Sequence, residues 1–309
     1  MSKSPPRDPE QVLKRLEWTV IRRLDGLLHG DYRTLFRGFG LDFADLREYQ
    51  YGDDVRHIDW NVTARMQTPY IREYHEDRDI TAWFLLDLSK SVNFGSRDVR
   101  KRAVSLDFVT VLARVLTRHG NRVGALFYGQ GVDGFIPARS GRRQALAILH
   151  AMQSRPELPD GAGTHLQDLL RSAFNFAHRR SLIFLVSDFF SAPGWEKPLA
   201  QLARRHEVVA VRLHDPLEAE LPDLGLLVFQ DAETGEQMFV DTHDRGFRKR
   251  FAAAAEQRET ALRAAFRDAG VDAIELSTEE DLVDTVRRFA DLRKRRFRTA
   301  VREPAGAKA

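Results

Sequence analysis

Two strand-length runs of apolar residues constrain the fold of this chain more than any other feature. They span residues 81–86 (TAWFLL) and 181–186 (SLIFLV). Runs of this kind are typical of strands that are covered on both faces. Helical patterns lie between and around them, and strands that alternate with helices form a largely parallel sheet. The sequence therefore predicts an α/β fold, a doubly wound and mostly parallel sheet with helices on both faces.

The spacing of apolar residues divides the chain into three parts. Residues 1–79 are expected to hold an amino-terminal helix, which ends near Gly30, and an irregular segment with short strands. Residues 80–293 hold the alternating strands and helices, with a hairpin excursion at about 215–241 that turns at Glu233–Glu236. Ser96 is expected to begin a helix that runs to Arg118. Residues 294–309 form a basic tail that we expect to be disordered.

Composition excludes several classes of function. At 309 residues with 43% hydrophobic content, the chain can bury a sizeable core. The 48 basic and 45 acidic residues leave a net charge of only +3, so we do not expect nucleic acid as a partner. There is no cysteine, which excludes disulfides, thiolate chemistry and sulfur-ligated zinc.

The apolar runs also bear on location. The first ten residues, MSKSPPRDPE, contain no apolar core of a signal peptide. The longest apolar runs are the length of a strand and too short to cross a bilayer. We therefore expect no transmembrane segment and a cytoplasmic protein.

A cluster of oxygen-bearing side chains follows the first apolar run. The sequence there is Asp87-Leu-Ser89-Lys-Ser91. Alternate side chains of an extended or turning backbone point the same way, so these three can converge. One carboxylate and two hydroxyls suit a hard cation such as Mg²⁺. An ordinary turn between a strand and a helix is the alternative interpretation of the same residues.

Two later residues are expected at the same edge of the sheet. Asp188 follows the second apolar run, and Thr164 ends a glycine-rich loop that returns to that edge. In open α/β sheets, ligands bind beyond the carboxyl ends of the strands. Each residue has another possible role, since Thr164 with Gln167 could form a capping box and Asp188 could shape the turn before Pro193.

The order of these residues resembles a known site. Asp-x-Ser-x-Ser, then Thr, then Asp is similar to the metal-ion-dependent adhesion site of von Willebrand factor A domains, over roughly Thr81 to Arg293. The resemblance implies a von Willebrand A-like fold. It also implies a divalent cation, Mg²⁺ or another ion such as Mn²⁺ or Ca²⁺, held directly or through water by five residues: Asp87, Ser89, Ser91, Thr164 and Asp188.

A second resemblance covers nearly the whole chain. The sequence is similar to the bacterial family known as domain of unknown function fifty-eight, which itself resembles von Willebrand A domains. That family is commonly paired with MoxR-type AAA+ ATPases, so the resemblance implies such a partner. The motifs are Gly38–Gly40, Asp45–Tyr49, Tyr51–Arg56, His57–Trp60, Thr63–Arg65, Asp215–Glu218, Leu221-Pro222 and Glu233–Gly235.

Residues 38–65 are dense in charged side chains. A hydrolase site is one interpretation, but no nucleophile has a base at a recognisable spacing and His57 has no second histidine nearby. We interpret the segment as a network of arginine–carboxylate pairs that fastens it to the main domain.

Three functions fit the pattern. The first is a binding module, not an enzyme, in which the ion keeps a position for an acidic side chain of a protein partner. The second is a haloacid-dehalogenase-like Mg²⁺-dependent phosphatase with Asp87 as nucleophile, although Ser89 stands where those enzymes need a second carboxylate. The third is a metal-free interaction domain. The sequence favours the first, as an adaptor that works with a MoxR-type ATPase in the assembly or maturation of a client complex.

Overall fold

The computed structural model describes residues 8–23, 45–50, 53, 55, 58–73, 81–96, 99–156, 158, 163–230, 236–289 and 291. The expected end of the first helix near Gly30, the turn at 233–235 and the tail at 294–309 lie outside these residues. Nothing in the described part tests the domain boundaries, which stay predictions.

The described elements alternate between strands and helices along most of the chain. The strands are β1 Asp45–Glu48, β2 Tyr70–Glu73, β3 Thr81–Asp87, β4 Arg122–Tyr128, β5 Val132–Arg139, β6 Leu182–Ser187, β7 Glu207–His214, β8 Leu226–Gln230, β9 Gln237–Asp241 and β10 Asp272–Ser277. The helices are α1 Pro9–Leu16, which continues to Ile21, α2 Trp60–Met66, α3 Lys101–Arg118, α4 Arg142–Ser154, α5 Leu166–Phe176, α6 Glu196–Arg205, α7 Arg245–Ala269 and α8 282–289.

Six strands form the central sheet in the order β10-β7-β6-β3-β4-β5. All neighbours are parallel except β4 and β5, which form an antiparallel pair at one edge. From β3 the chain adds β4 and β5 on one side, and it then adds β6, β7 and β10 on the other. This is a doubly wound arrangement. The predicted α/β fold, a doubly wound and mostly parallel sheet with helices on both faces, is confirmed.

The sheet is buried on both faces, which explains the two apolar runs. In β3, Phe84 and Leu86 pack into one core cluster, whereas Trp83 and Leu85 pack into the other. Helices α1, α3, α4 and α8 supply the first cluster, and α5, α6 and α7 supply the second. Because both faces of β3 need apolar residues, the strand cannot show the alternation of a half-exposed strand.

The amino-terminal helix α1 packs into the first core cluster. Its buried residues are Val12, Leu13 and Leu16, and Ile21 extends the same apolar face. Ion pairs fix its position on the domain: Arg142 of α4 binds Glu10, and Arg114 of α3 binds Glu17. None of the described helices is long and apolar enough to cross a membrane.

Segment 45–73 contains a small sheet of its own, in which β1 and β2 are antiparallel. Arg47 makes two hydrogen bonds of 2.7 Å to Asp53, so this arginine–carboxylate pair joins two parts of the same segment. Asp59 accepts hydrogen bonds from two backbone N–H groups at the start of α2. The role of such pairs in fastening the segment to the main domain stays a prediction.

Strands β8 and β9 form the expected hairpin, with Val228 opposite Phe239. Both side chains are exposed, at 51% and 75%. A two-stranded ribbon of this kind gains little stability from its own contacts. The two ends of the ribbon are joined through Thr242, whose hydroxyl donates a hydrogen bond to the carbonyl of Gly225.

Candidate metal centre

The candidate site lies where the strand order of the central sheet reverses. Strands β3 and β6 are neighbours there, and Leu86 pairs in register with Val186. Asp87 is the last residue of β3, and Asp188 directly follows β6. Ligands of open α/β sheets bind at this position because the loops from the two strands diverge and leave a crevice.

The turn after β3 brings the first three predicted residues together. The backbone N–H of Ser89 donates a hydrogen bond of 2.9 Å to Oδ1 of Asp87. The hydroxyls of Ser89 and Ser91 lie 3.1 Å apart. All three side chains are buried. The predicted convergence of these oxygens is therefore present in the structure.

Asp188 lies next to this turn. The hydroxyl of Ser187 donates a hydrogen bond of 2.6 Å to Oδ2 of Asp87 and accepts one from the N–H of Phe189. Asp188 also shapes its own turn, since its Oδ1 accepts from the N–H of Phe190 at 3.1 Å. Phe189 has a φ of 61°, which is rare for a bulky residue and marks a strained backbone at the site.

Thr164 is buried at the same edge of the sheet. Its carbonyl accepts hydrogen bonds from the N–H of Ala192 and the hydroxyl of Ser191, which follow β6. The next residue, His165, donates its N–H to the hydroxyl of Tyr128, the residue that pairs with Asp87 at the end of β4. Thr164 is thus placed between the loops that follow β4 and β6.

Two predicted helix caps are wrong. Helix α5 begins at Leu166 without a side-chain cap, and the N–H of Leu166 donates to Ser191 rather than to Thr164. Helix α3 begins at Lys101, and Ser96 instead donates its N–H and its hydroxyl to Asp215. In both cases a residue distant in the sequence replaces the local partner. Ser191 accepts the hydrogen bond expected for Thr164, and Asp215 binds Ser96 in place of the start of α3.

The structure adds Lys101, which the sequence analysis did not single out. Its Nζ lies 2.6 Å from Oδ2 of Asp188 and 2.6 Å from Oε1 of Glu218, and its side chain is only 1% exposed. One signal was available, because Lys101 lies on the same helical stripe as the buried Ser105 and Phe108. A lysine on a buried stripe needs an anionic partner.

Glu218 belongs to a motif whose role the sequence did not show. Residues Pro216–Glu218 form a short 3₁₀ helix that Asp215 caps. Oδ2 of Asp215 also accepts hydrogen bonds from Ser96, before α3, and from Thr278, after β10. Burial tends to raise the pKa of Asp215, but these donors outweigh it and hold the pKa below its usual value.

The half of the site around Asp87 differs in its electrostatics from the half that contains Asp188, Lys101 and Glu218. Burial, together with the charge of Asp188, raises the pKa of Asp87 to about 6, although the donors Ser187 and Ser89 oppose the shift. Burial alone would lower the pKa of Lys101, but the charges of Asp188 and Glu218 outweigh it and the net shift is upward. Burial also raises the pKa of Glu218 despite its lysine partner.

The donor set fits a divalent cation. It consists of carboxylate and hydroxyl oxygens, which hard cations such as Mg²⁺ prefer. The site contains three buried or half-buried carboxylates, of Asp87, Asp188 and Glu218, and the ammonium of Lys101, so two negative charges remain when all four groups are ionised. Within the described part of the chain, no group of three histidine, cysteine, aspartate or glutamate side chains could hold a metal. Of the five predicted ligands, only Asp87 and Asp188 are of these types, and the other three supply hydroxyl oxygens.

Comparison with known proteins identifies the family. The model of "Protein of unknown function DUF58" matches residues 45–261, and the chain belongs to this family. Uncharacterized protein Mb1516 of Mycobacterium bovis is 35% identical over 284 residues, which cover 92% of this chain and 89% of that protein. Uncharacterized protein Rv1480 of Mycobacterium tuberculosis matches with the same identity and coverage.

Three solved structures are similar at low sequence identity. An aerotolerance-related membrane protein from Bacteroides fragilis has a TM-score of 0.47 at 12% identity, covering 70% of this chain and 99% of that one. BatB from Bacteroides thetaiotaomicron has a TM-score of 0.45 at 14% identity, with the same coverage. The SpRpn10 VWA domain has a TM-score of 0.39 at 14% identity, covering 75% of this chain and all of that one.

Proposed function

We propose that this DUF58 family member is a metal-ion-dependent protein-binding module. It would act as an adaptor for a MoxR-type AAA+ ATPase in the assembly or maturation of a client complex. The observation that supports the metal site is the position of Asp87 and Asp188. They lie buried at the carboxyl ends of β3 and β6, where the strand order reverses and where α/β sheets bind their ligands.

Each residue of the site has a role in this proposal. Asp87 and Asp188 supply negative charge, and Ser89, Ser91 and Thr164 supply neutral oxygens, directly or through water. A bound Mg²⁺, or another divalent ion such as Mn²⁺ or Ca²⁺, would supply a concentrated positive charge that an acidic side chain of the partner can recognise. The ATPase partner rests on the family resemblance.

The phosphatase alternative finds no support in the same residues. That chemistry needs an aspartate nucleophile and a second carboxylate two positions later as general acid. The residue at that position is Ser89, whose hydroxyl lies against Ser91. Oδ2 of Asp87 accepts a hydrogen bond from Ser187, so the carboxylate is engaged at both oxygens by neutral donors.

A capture experiment tests this function. The purified chain is immobilised, and the MoxR-type ATPase of the same organism is offered in Mg²⁺ and then in EDTA. We expect capture in Mg²⁺ and its loss in EDTA. We expect Asp87→Ala to lose capture in both buffers while its circular dichroism remains that of the wild type.

The matched control is Asp168→Ala, which removes an exposed carboxylate from the first turn of α5. This variant should capture the ATPase as the wild type does. Capture that is equal in Mg²⁺ and EDTA, or that survives Asp87→Ala, would contradict a metal-dependent adaptor. Loss of capture in both aspartate variants would show that the effect is not specific to the site.

A further inference from the structure

Lys101 brings a fixed positive charge to the edge of the sheet where the metal is proposed. Its ammonium contacts Asp188 and Glu218, each at 2.6 Å. The rings of Phe94 and Phe190 lie 5.8 and 5.1 Å from it. Movement of this side chain into solvent would leave two buried or half-buried carboxylates without their ammonium. The charge of Lys101 is therefore a permanent part of the site.

Glu218 is also held in place. Its Oε2 accepts a hydrogen bond of 3.1 Å from the N–H of Asp215, while Oε1 faces Lys101. Arg258 of α7 donates to the carbonyl of Glu218 at 3.3 Å. Because Asp215 is itself bonded to Ser96, the turn that carries Glu218 is tied to the loop that leads to Lys101. The two charges keep a fixed relation to Asp188.

We infer that Lys101 and Glu218 set the affinity of the proposed site for divalent cations, with opposite signs. The inference rests on the proposed metal-binding function. Lys101 shares Asp188 with any bound ion and repels that ion, so it lowers the affinity. Glu218 draws the ammonium toward itself and adds a negative charge, so it raises the affinity. Neither residue needs to touch the ion, because unit charges in a buried site act over several ångströms.

Calorimetric titration of Mn²⁺ into four proteins tests the inference: wild type, Lys101→Met, Glu218→Gln and the control Lys197→Met. Lys101→Met keeps a side chain of similar length without the charge, and we expect Mn²⁺ to bind it about tenfold more tightly or better. Glu218→Gln keeps its shape and can still accept from Lys101, and we expect about three- to tenfold weaker binding. Lys197, an exposed residue of α6, should have no effect.

Opposite signs separate this role from a structural one. If Lys101 and Glu218 only held Asp188 in position, both substitutions would weaken Mn²⁺ binding. The inference is therefore overturned if both substitutions weaken Mn²⁺ binding, or if either of them leaves the Mn²⁺ affinity unchanged. If Lys101→Met does not fold, Lys101→Gln takes its place, because it also removes the charge: tighter Mn²⁺ binding than the wild type supports the inference, and unchanged or weaker binding overturns it.

The same titration distinguishes failure of the inference from failure of the proposed function. If the wild type and Lys101→Met both give no binding heat with Mn²⁺, the metal site itself is refuted, and the inference falls with it. If the wild type binds Mn²⁺ and Lys101→Met binds it no more tightly, the metal site stands and only the tuning by Lys101 is refuted.

Discussion

Asp87 and Asp188 end neighbouring strands of one sheet and are almost fully buried, at 0% and 4% exposure, but their surroundings differ. Asp188 contacts the ammonium of Lys101. Asp87 accepts hydrogen bonds from the backbone of Ser89 and the hydroxyl of Ser187, which are neutral. The chain thus supplies a cation to one half of the site and neutral donors to the other.

This difference indicates where an added ion contributes most. A buried carboxylate with neutral donors is costly to ionise, and its raised pKa of about 6 reflects that cost. A buried carboxylate with a lysine partner is costly to separate from that partner. A divalent cation would therefore relieve the cost at Asp87 while it competes with Lys101 at Asp188.

The largest expected effect on stability comes from removing the ammonium of Lys101. Without metal, Lys101→Met leaves Asp188 and Glu218 without their ammonium, and we expect the free energy of unfolding to fall by about 3–5 kcal/mol. Urea denaturation in EDTA measures it. The double variant Lys101→Met/Glu218→Gln should recover part of the loss, because it removes one of the two abandoned charges. A loss within 1 kcal/mol of zero would contradict this account of the lysine half.

Asp188→Asn is expected to have the next largest effect. The substitution takes one of two carboxylates from a buried lysine, and we expect the metal-free protein to lose about 2–3 kcal/mol of unfolding free energy. Urea denaturation in EDTA again provides the measurement. A variant as stable as the wild type would mean that Glu218 alone can compensate Lys101.

The matched substitution at the other strand end should have the opposite sign. Asp87→Asn removes a buried charge that has only neutral donors, so in EDTA we expect the free energy of unfolding to rise by about 1–2 kcal/mol. The comparison with Asp188→Asn controls for the loss of a carboxylate at a strand end. If both variants were destabilised alike, the proposed contrast between the two halves would be wrong.

A smaller effect is expected from pH. The folded-state pKa of Asp87, about 6, lies above its ordinary value of 3.8, so the folded protein takes up this proton before the unfolded chain does. Stability in EDTA should therefore rise, relative to Asp87→Asn, as the pH falls through 6 toward 4. Between about pH 7 and pH 5 the difference between the two proteins should narrow by about 1 kcal/mol. A constant difference would show that Asp87 does not titrate in this range.

The sequence predicted the frame of this site well. The two apolar runs are β3 and β6, and the residues that end them meet at the reversal of strand order because parallel strands align their carboxyl ends. The alternation of side chains along the Asp87 turn was enough to predict that Ser89 and Ser91 converge. These features follow from local pattern and from general rules of α/β topology.

The sequence could not predict which residues pair with each buried charged group. Lys101 and Glu218 are 117 positions apart, and only the folded sheet brings them together. A local cap was the alternative role of Thr164 beside the predicted metal ligand, but Ser191 accepts the hydrogen bond from the start of α5. Local propensity indicates which residues can form a turn or a cap. Tertiary packing decides which partner a buried polar group binds in the folded chain.

The central claim is that Asp87 and Asp188 help to hold a divalent cation. The most direct measurement is the electron paramagnetic resonance spectrum of Mn²⁺ titrated into the wild type, Asp87→Asn and Asp168→Ala, which reports the free ion separately from the bound ion. We expect the wild type and Asp168→Ala to remove one equivalent of Mn²⁺ from solution and Asp87→Asn to leave it free. Equal uptake by all three proteins, or no uptake by the wild type, would contradict the claim.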